Sequence, residues 1–299
     1  HQEDEVFEAL GVNGSERVSH SFPWRSPCLV GIASRAGGTM QEIDFSVIEN
    51  ARIEAVSIHA KTTSMTLTRL KEMLPEGLIL ARIAVPFAPH KVSPEKWLEG
   101  MRLDIDRLYR LGVRYFEIQR MPNVTQFGWG TTWTSGDQFG QWWLAVAEKL
   151  WVEFSGIKLG FPGVSPGGQV PGMRMDSEVF LDGSDNVIRK ADWLGVNCFW
   201  AHPTEMGREE KGSYYEKMRQ RYPNKLLFIT EFGNLNPHTR PEVKGSEYVR
   251  FYERLRKSPG IGAAFAQVVS SAQGYQAMSW RTEDGELTGI VRAVRERPF

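Results

Sequence analysis

Eight short apolar runs, each followed by a longer stretch of helical periodicity, are spaced along this chain with little between them. No other feature restricts the fold as much. A strand that returns parallel to its neighbour needs a crossover of about a dozen residues or more, and an amphipathic helix supplies it, so repeated βα units build a helix-covered parallel sheet. The runs cover residues 28–32, 53–58, 78–85, 113–118, 157–161, 193–199, 226–230 and 262–268. Between them the spacing predicts helices over 94–111, 137–154, 213–222 and 241–257, several opening with the Ser, Asp or Pro that start helices. Eight such units favour a closed (β/α)8 TIM barrel over an open doubly wound sheet, and no Gly-x-Gly-x-x-Gly follows the first run to mark a dinucleotide site. A barrel takes about 250 residues. The expectation is therefore one barrel domain over 27–299, preceded by an N-terminal extension over 1–26.

The balance of 36 basic and 36 acidic side chains provides no field for nucleic acid or an anionic membrane, and no run approaches the length of a membrane span. Cys28 and Cys198 each sit in an apolar run and read as buried thiols rather than a disulfide framework. His90, His202 and His238 are scattered over three loops without metal-ligand spacing, so neither a metal nor a cofactor is expected. No signal peptide precedes His1, and the polar, acidic start suggests that a leader or upstream domain has been removed. A secreted or cell-surface monomer is the matching expectation. The unusual number is 10 Trp, because indole faces serve both core packing and the apolar face of sugar rings.

The ligand site of such a barrel lies at the C-terminal ends of its strands. The loops there, around Trp129, Ser165, His202 and Asn236, are long and rich in Gly, Pro and aromatics. Strict alternation along the seventh run places Leu227, Ile229 and Glu231 on the inward face, with Phe228 and Thr230 outward, which brings Glu231 to the mouth. By the same rule Glu117 faces inward two alternations below Met121, about 13 Å deeper by strand rise. That depth suits a structural carboxylate paired with Arg82.

The run Phe228-Ile229-Thr230-Glu231-Phe232-Gly233-Asn234 resembles the strand-seven nucleophile motif of retaining glycoside hydrolases of the large Glu/Glu barrel clan, close to families five and thirty-nine. The run from Tyr115 to Asn123 resembles the clan's strand-four motif. The likeness continues through Leu159-Gly160-Phe161-Pro162, Ser165-Pro166-Gly167-Gly168, Ala191 to Val196 and Ser279-Trp280-Arg281. It implies hydrolysis of a β-linked glycan with retention, Glu231 attacking the anomeric carbon while a second carboxyl about 5 Å away protonates the leaving oxygen. This chain departs from the motif at that second carboxyl: its position is Met121, preceded by Arg120 in place of Asn, and a thioether transfers no proton. Asn197 and Phe199 stand where His and Tyr are frequent in the clan.

Trp129 and Trp133 are the expected aromatic platform, Trp200 and Trp280 resemble subsite tryptophans, and Asn197, Phe199, His202 and Lys61 are further candidates for substrate binding. Trp142, Trp143 and Trp151 fall at helical spacing and read as core. Three functions are open: a glycosidase with its acid lost or relocated, a non-catalytic carbohydrate-binding barrel, and a repurposed site. In the last, Glu231 would act as a lone general base, its pKa raised by an apolar pocket of Met121 and Phe199.

Overall fold

The computed structural model describes residues 27–87 and 89–299, so the 1–26 extension lies outside the described residues. Eight parallel strands close in chain order: β1 (Leu29–Ala33), β2 (Ala55–His59), β3 (Leu78–Ile83), β4 (Tyr115–Ile118), β5 (Lys158–Phe161), β6 (Trp193–Trp200), β7 (Leu227–Asn234) and β8 (Ile261–Ala266), the last pairing back onto β1. The helices are α1 (Glu42–Asn50), α2 (Ser64–Met73), α3 (Pro94–Arg110), α4 (Gly136–Glu153), α5 (Ser177–Lys190), α6 (Tyr214–Arg221), α7 (Pro241–Arg256) and α8 (Gly289–Arg295). The chain is a single-domain TIM barrel. Polar residues start several helices as expected: the hydroxyls of Ser93 and Ser135 accept from the backbone N–H of Lys96 and Gln138, and the Asp176 carboxylate accepts from Glu178 and Val179.

The core has two parts. The larger one fills the space between strands and helices and includes Trp142 and Trp143 of α4, as the helical spacing predicts. The smaller one draws on strands and their ends alone, with Ala55, Leu80, Trp193, Phe228, Ala263 and Phe265 among its members, and forms the packed barrel interior. Cys28 and Cys198 are buried, and burial pushes the Cys198 thiol up to about 12. Among the described residues no helix is long and apolar enough to cross a membrane.

Strand β7 corrects the alternation read from sequence. Phe228 meets Trp193 and Tyr115 edge-on at 5.0 and 5.4 Å in the barrel interior, while Leu227 and Ile229 belong to the helix-facing core. Four residues on, Phe232 packs against Phe251 of α7 at 4.6 Å, on the opposite face. An even offset cannot change face in a regular strand. The pairing shows why it does here: Ile229 lies opposite Val196 and Glu231 opposite Asn197, so Thr230 is the extra residue of a β-bulge. Thr230 and Glu231 consequently both face inward. Glu231 reaches the mouth because of the bulge and not because of strict alternation.

Candidate functional site

The Glu231 carboxylate sits 1% exposed at the top of the barrel interior, surrounded by donors. Arg120 donates to both of its oxygens, Nη2 to Oε1 at 2.5 Å and Nε to Oε2 at 3.2 Å. The Arg82 guanidinium of β3 stands 3.3 Å from Oε1, and Gln267, just beyond β8, donates to the same oxygen. Burial alone would raise this carboxyl. The Arg120 and Arg82 charges and the hydrogen bonds outweigh it and bring its pKa to about 2. The expected base with a raised pKa is thus overturned: the pocket around Glu231 is cationic.

Glu117 shares the same anchor. It is fully buried on β4 and accepts from Arg82 Nε at 2.8 Å through Oε1, the pairing expected from sequence. Its Oε2 has no partner among the described residues. Burial pushes its carboxyl above the usual range, Arg82 opposes the shift, and the nearby Glu231 charge reinforces it. One guanidinium therefore joins two carboxylates, placing Glu117 directly beneath Glu231 and out of solvent.

The end of β4 explains Arg120. Strand pairing stops at Ile118, and Gln119 and Met121 then take left-handed backbone angles, φ +71° and +35°, which non-glycine residues seldom adopt. Gln119 is held there by its side chain, whose amide donates to the Val85 and Phe127 carbonyls while its oxygen accepts from Val85 N–H. The strand rise assumed for Met121 therefore does not apply beyond Ile118. Between the two left-handed residues, Arg120 reaches Glu231, and Met121 is half-buried beside it in sequence.

The aromatic candidates separate by burial. Trp133 is 1% exposed, donates its indole N–H to the Pro122 carbonyl at 2.6 Å and packs against Phe87, Phe139 and Trp142, so its faces are closed to a ligand. Trp200 is equally buried, lies against Phe232 and Phe251 and donates to Glu247 at 3.1 Å. Both are core, and the expectation that either lines a subsite is corrected. Trp280 is also buried, with no acceptor for its indole N–H among the described residues. Trp129 and Phe199 remain half-buried at the mouth, beyond β4 and near the end of β6.

Asn197 is buried and fully used: its amide donates to the Gly163 and Val164 carbonyls at 3.1 Å, and its oxygen accepts from the Thr230 hydroxyl. It secures the bulge rather than facing solvent. Lys61 leans away to Asp104 of α3, with Nζ 2.7 Å from the carboxylate. His202 is exposed and starts a short turn in which Glu205 accepts from the His202 backbone. His59 closes β2. Crowding by protein and the Arg82 and Arg120 charges hold its pKa below the ordinary histidine value. Gln267 was missed, although a lone polar side chain near the end of an otherwise apolar strand run was a readable signal. Among the described residues no three His, Cys, Asp or Glu side chains come together in a way that could hold a metal ion.

No protein-family model matches the sequence, and no curated protein matches it either. Solved structures do match. An endo-β-1,3-glucanase of glycoside hydrolase family 128 (subgroup II) from Sorangium cellulosum aligns with a TM-score of 0.63 at 17% identity, over 91% of this chain and 99% of that one. A family 39 glycoside hydrolase from Bacteroides cellulosilyticus gives 0.63 at 12% identity, over 93% of this chain and 64% of its own. A family 128 (subgroup VII) oligosaccharide-binding protein from Trichoderma gamsii gives 0.56 at 13% identity, over 94% and 96%. The fold is that of glycoside-hydrolase barrels.

Proposed function

We propose that this glycoside-hydrolase-like barrel binds a β-linked glucan across its C-terminal mouth and does not hydrolyse it. The observation that carries the reading is the two-point grip of Arg120 on Glu231. A nucleophilic carboxylate must present a free lone pair to the anomeric carbon, and here Arg120, Arg82 and Gln267 converge on Oε1 while the Arg120 Nε also holds Oε2. The partner carboxyl is also wanting, because Met121 holds its sequence position and Glu117, beneath Arg82, has no access to a leaving group. What persists is a mouth with half-buried Trp129, Phe199 and Met121 and a rim carrying Tyr275, 38% exposed, surfaces suited to the apolar face of a pyranose. The glucan preference follows the β-1,3-glucanases among the structural neighbours, and the oligosaccharide-binding member of the same family supplies a precedent for recognition in this fold.

Titration calorimetry with β-1,3-glucan oligosaccharides, paired with chromatography of the same mixtures, tests this. Binding without shortened products is the expected result. Release of reducing ends or of an aryl alcohol from an activated β-glucoside by the unaltered protein would refute it, as would absence of binding to any glycan. The double substitution Arg120→Asn with Met121→Glu releases Oε2 of Glu231 and places a carboxyl at the acid position. It is expected to give aryl-glycoside turnover that the unaltered protein lacks, measured as release of the aryl alcohol.

A further inference from the structure

The mouth is not uniform in charge. Between the loops that follow β1 and β2 lies a cavity of about 350 Å³ lined by Ser34, Arg35, His59, Lys61 and the threonines at the start of α2, with no acidic side chain in its wall. An adjoining cavity of about 490 Å³ toward β8 shares Arg35, but it includes Glu283, and its Arg281 is already paired with Asp44 at 2.7 Å. The first is therefore the one suited to an anion.

Arg35 is the cation with capacity to spare. It is half-buried, the one hydrogen bond of its guanidinium among the described residues is to the Ser270 hydroxyl at 3.0 Å, and no carboxylate among them lies within ion-pairing distance. The other arginines at the mouth, Arg82 and Arg120, are occupied by Glu117 and Glu231. A half-buried guanidinium matched only with a neutral hydroxyl favours a planar or tetrahedral oxyanion, which it binds through paired N–H donors. Hydroxyls of Ser34 and Thr62 add neutral donors around it, and the field of the α2 N-terminus, capped by Thr63, has the same sign. Lys61, tethered to Asp104, contributes positive charge at the rim. His59 lines the cavity and lies opposite Arg82 in the β2–β3 register, and Arg82 contacts Glu231, so a group seated here lies beside the centre of the mouth.

We infer that this cavity receives an acidic substituent of the bound glycan, a uronate carboxylate or a sulfate ester, with Arg35 as its principal partner. The inference rests on the glycan-binding reading above and adds a ligand class to it.

Calorimetry compares three β-linked oligosaccharides of equal length: neutral glucan, a glucuronate-bearing chain and a sulfated chain. The acidic ligand of the correct kind is expected to bind about tenfold or more tightly than the neutral one, the contribution of a charge-assisted pair. That advantage should shrink as salt is raised. Arg35→Met is expected to abolish the preference while leaving neutral binding unchanged, and Arg35→Lys to retain part of it, both checked for native melting. Should Arg35→Met fail to fold, the Lys variant and the salt dependence of the parent decide. Neutral binding with no acidic preference, or a preference that survives loss of the Arg35 charge, removes this inference and leaves the glycan-binding reading intact. Absence of binding to all three removes both.

Discussion

Strands β4 and β7 each bring one carboxylate to the Arg82 guanidinium, and the two carboxylates behave in opposite ways. Glu117 and Glu231 are equally buried, yet Glu117 is held above the usual carboxylate range while Glu231 is brought down to about 2. The difference is the number of donors. Glu231 has Arg120 and Gln267 in addition to Arg82, whereas Glu117 has Arg82 alone and leaves Oε2 unpaired. Depth sets the cost of a charge in a barrel, but the count of matched partners sets its sign of shift. The site is therefore asymmetric in a way that opposes two-carboxylate chemistry, with Glu231 at the mouth held by Arg120, Arg82 and Gln267 and Glu117 buried beneath Arg82.

The strongest way to break this comparison is to remove the shared anchor. Arg82→Met leaves two buried carboxylates short of a partner and is expected to cost about 3–5 kcal/mol in denaturant unfolding. A loss no larger than that of Arg120→Met would show that the carboxylates do not depend on a common cation. The acid limb comes next. Because the folded pKa of Glu231 lies below its ordinary 4.5, its stabilising contribution is complete above that value and is lost as pH falls from about 4.5 through about 2. Unfolding free energies measured across this window should fall by roughly 3 kcal/mol from this group, and Glu231→Gln should flatten the decline. Arg120→Met, which removes a half-buried partner, is expected to cost about 1–3 kcal/mol, with an upward shift of the Glu231 titration visible by carboxyl NMR. The smallest effect concerns the backbone. Met121→Gly relieves a left-handed residue and should stabilise by up to about 1 kcal/mol, whereas Gln119→Gly, despite a similar angle, should destabilise because the Gln119 amide ties the β3 and β4 loops together.

The fold was legible because it rests on repetition: all eight strand runs and the four helix predictions meet their elements to within a few residues. The site was legible only in part. Glu231, its place at the mouth and the Arg82–Glu117 pair are visible in the sequence, since a carboxylate closing an apolar run and a buried Arg opposite a buried Glu are local signals. The route by which Glu231 turns inward was not. A period-two pattern has no symbol for an extra residue, and Thr230 is identified as one only by its pairing with β6. The end of β4 was opaque for the same reason: two left-handed residues without glycine leave no mark on the pattern, so Met121 drew the attention that belonged to Arg120. Tryptophan count misled as well. Trp133 and Trp200 lie on loop and strand segments at the mouth, and only three-dimensional packing reveals that their neighbours close over them.

The barrel interior also limits how this chain can change. Gly195 on β6 leaves the space that Glu117 fills, since a methyl group there would stand 2.8 Å from the Glu117 Oε2, and Gly160 on β5 makes room in the same way for the Trp193 ring. Each small residue commits its neighbour to being large, and each large one forbids its neighbour to grow. A larger residue at either glycine therefore requires a smaller partner, so the acid beneath Arg82 is half of a volume-matched couple, whatever happens to the chemistry above it.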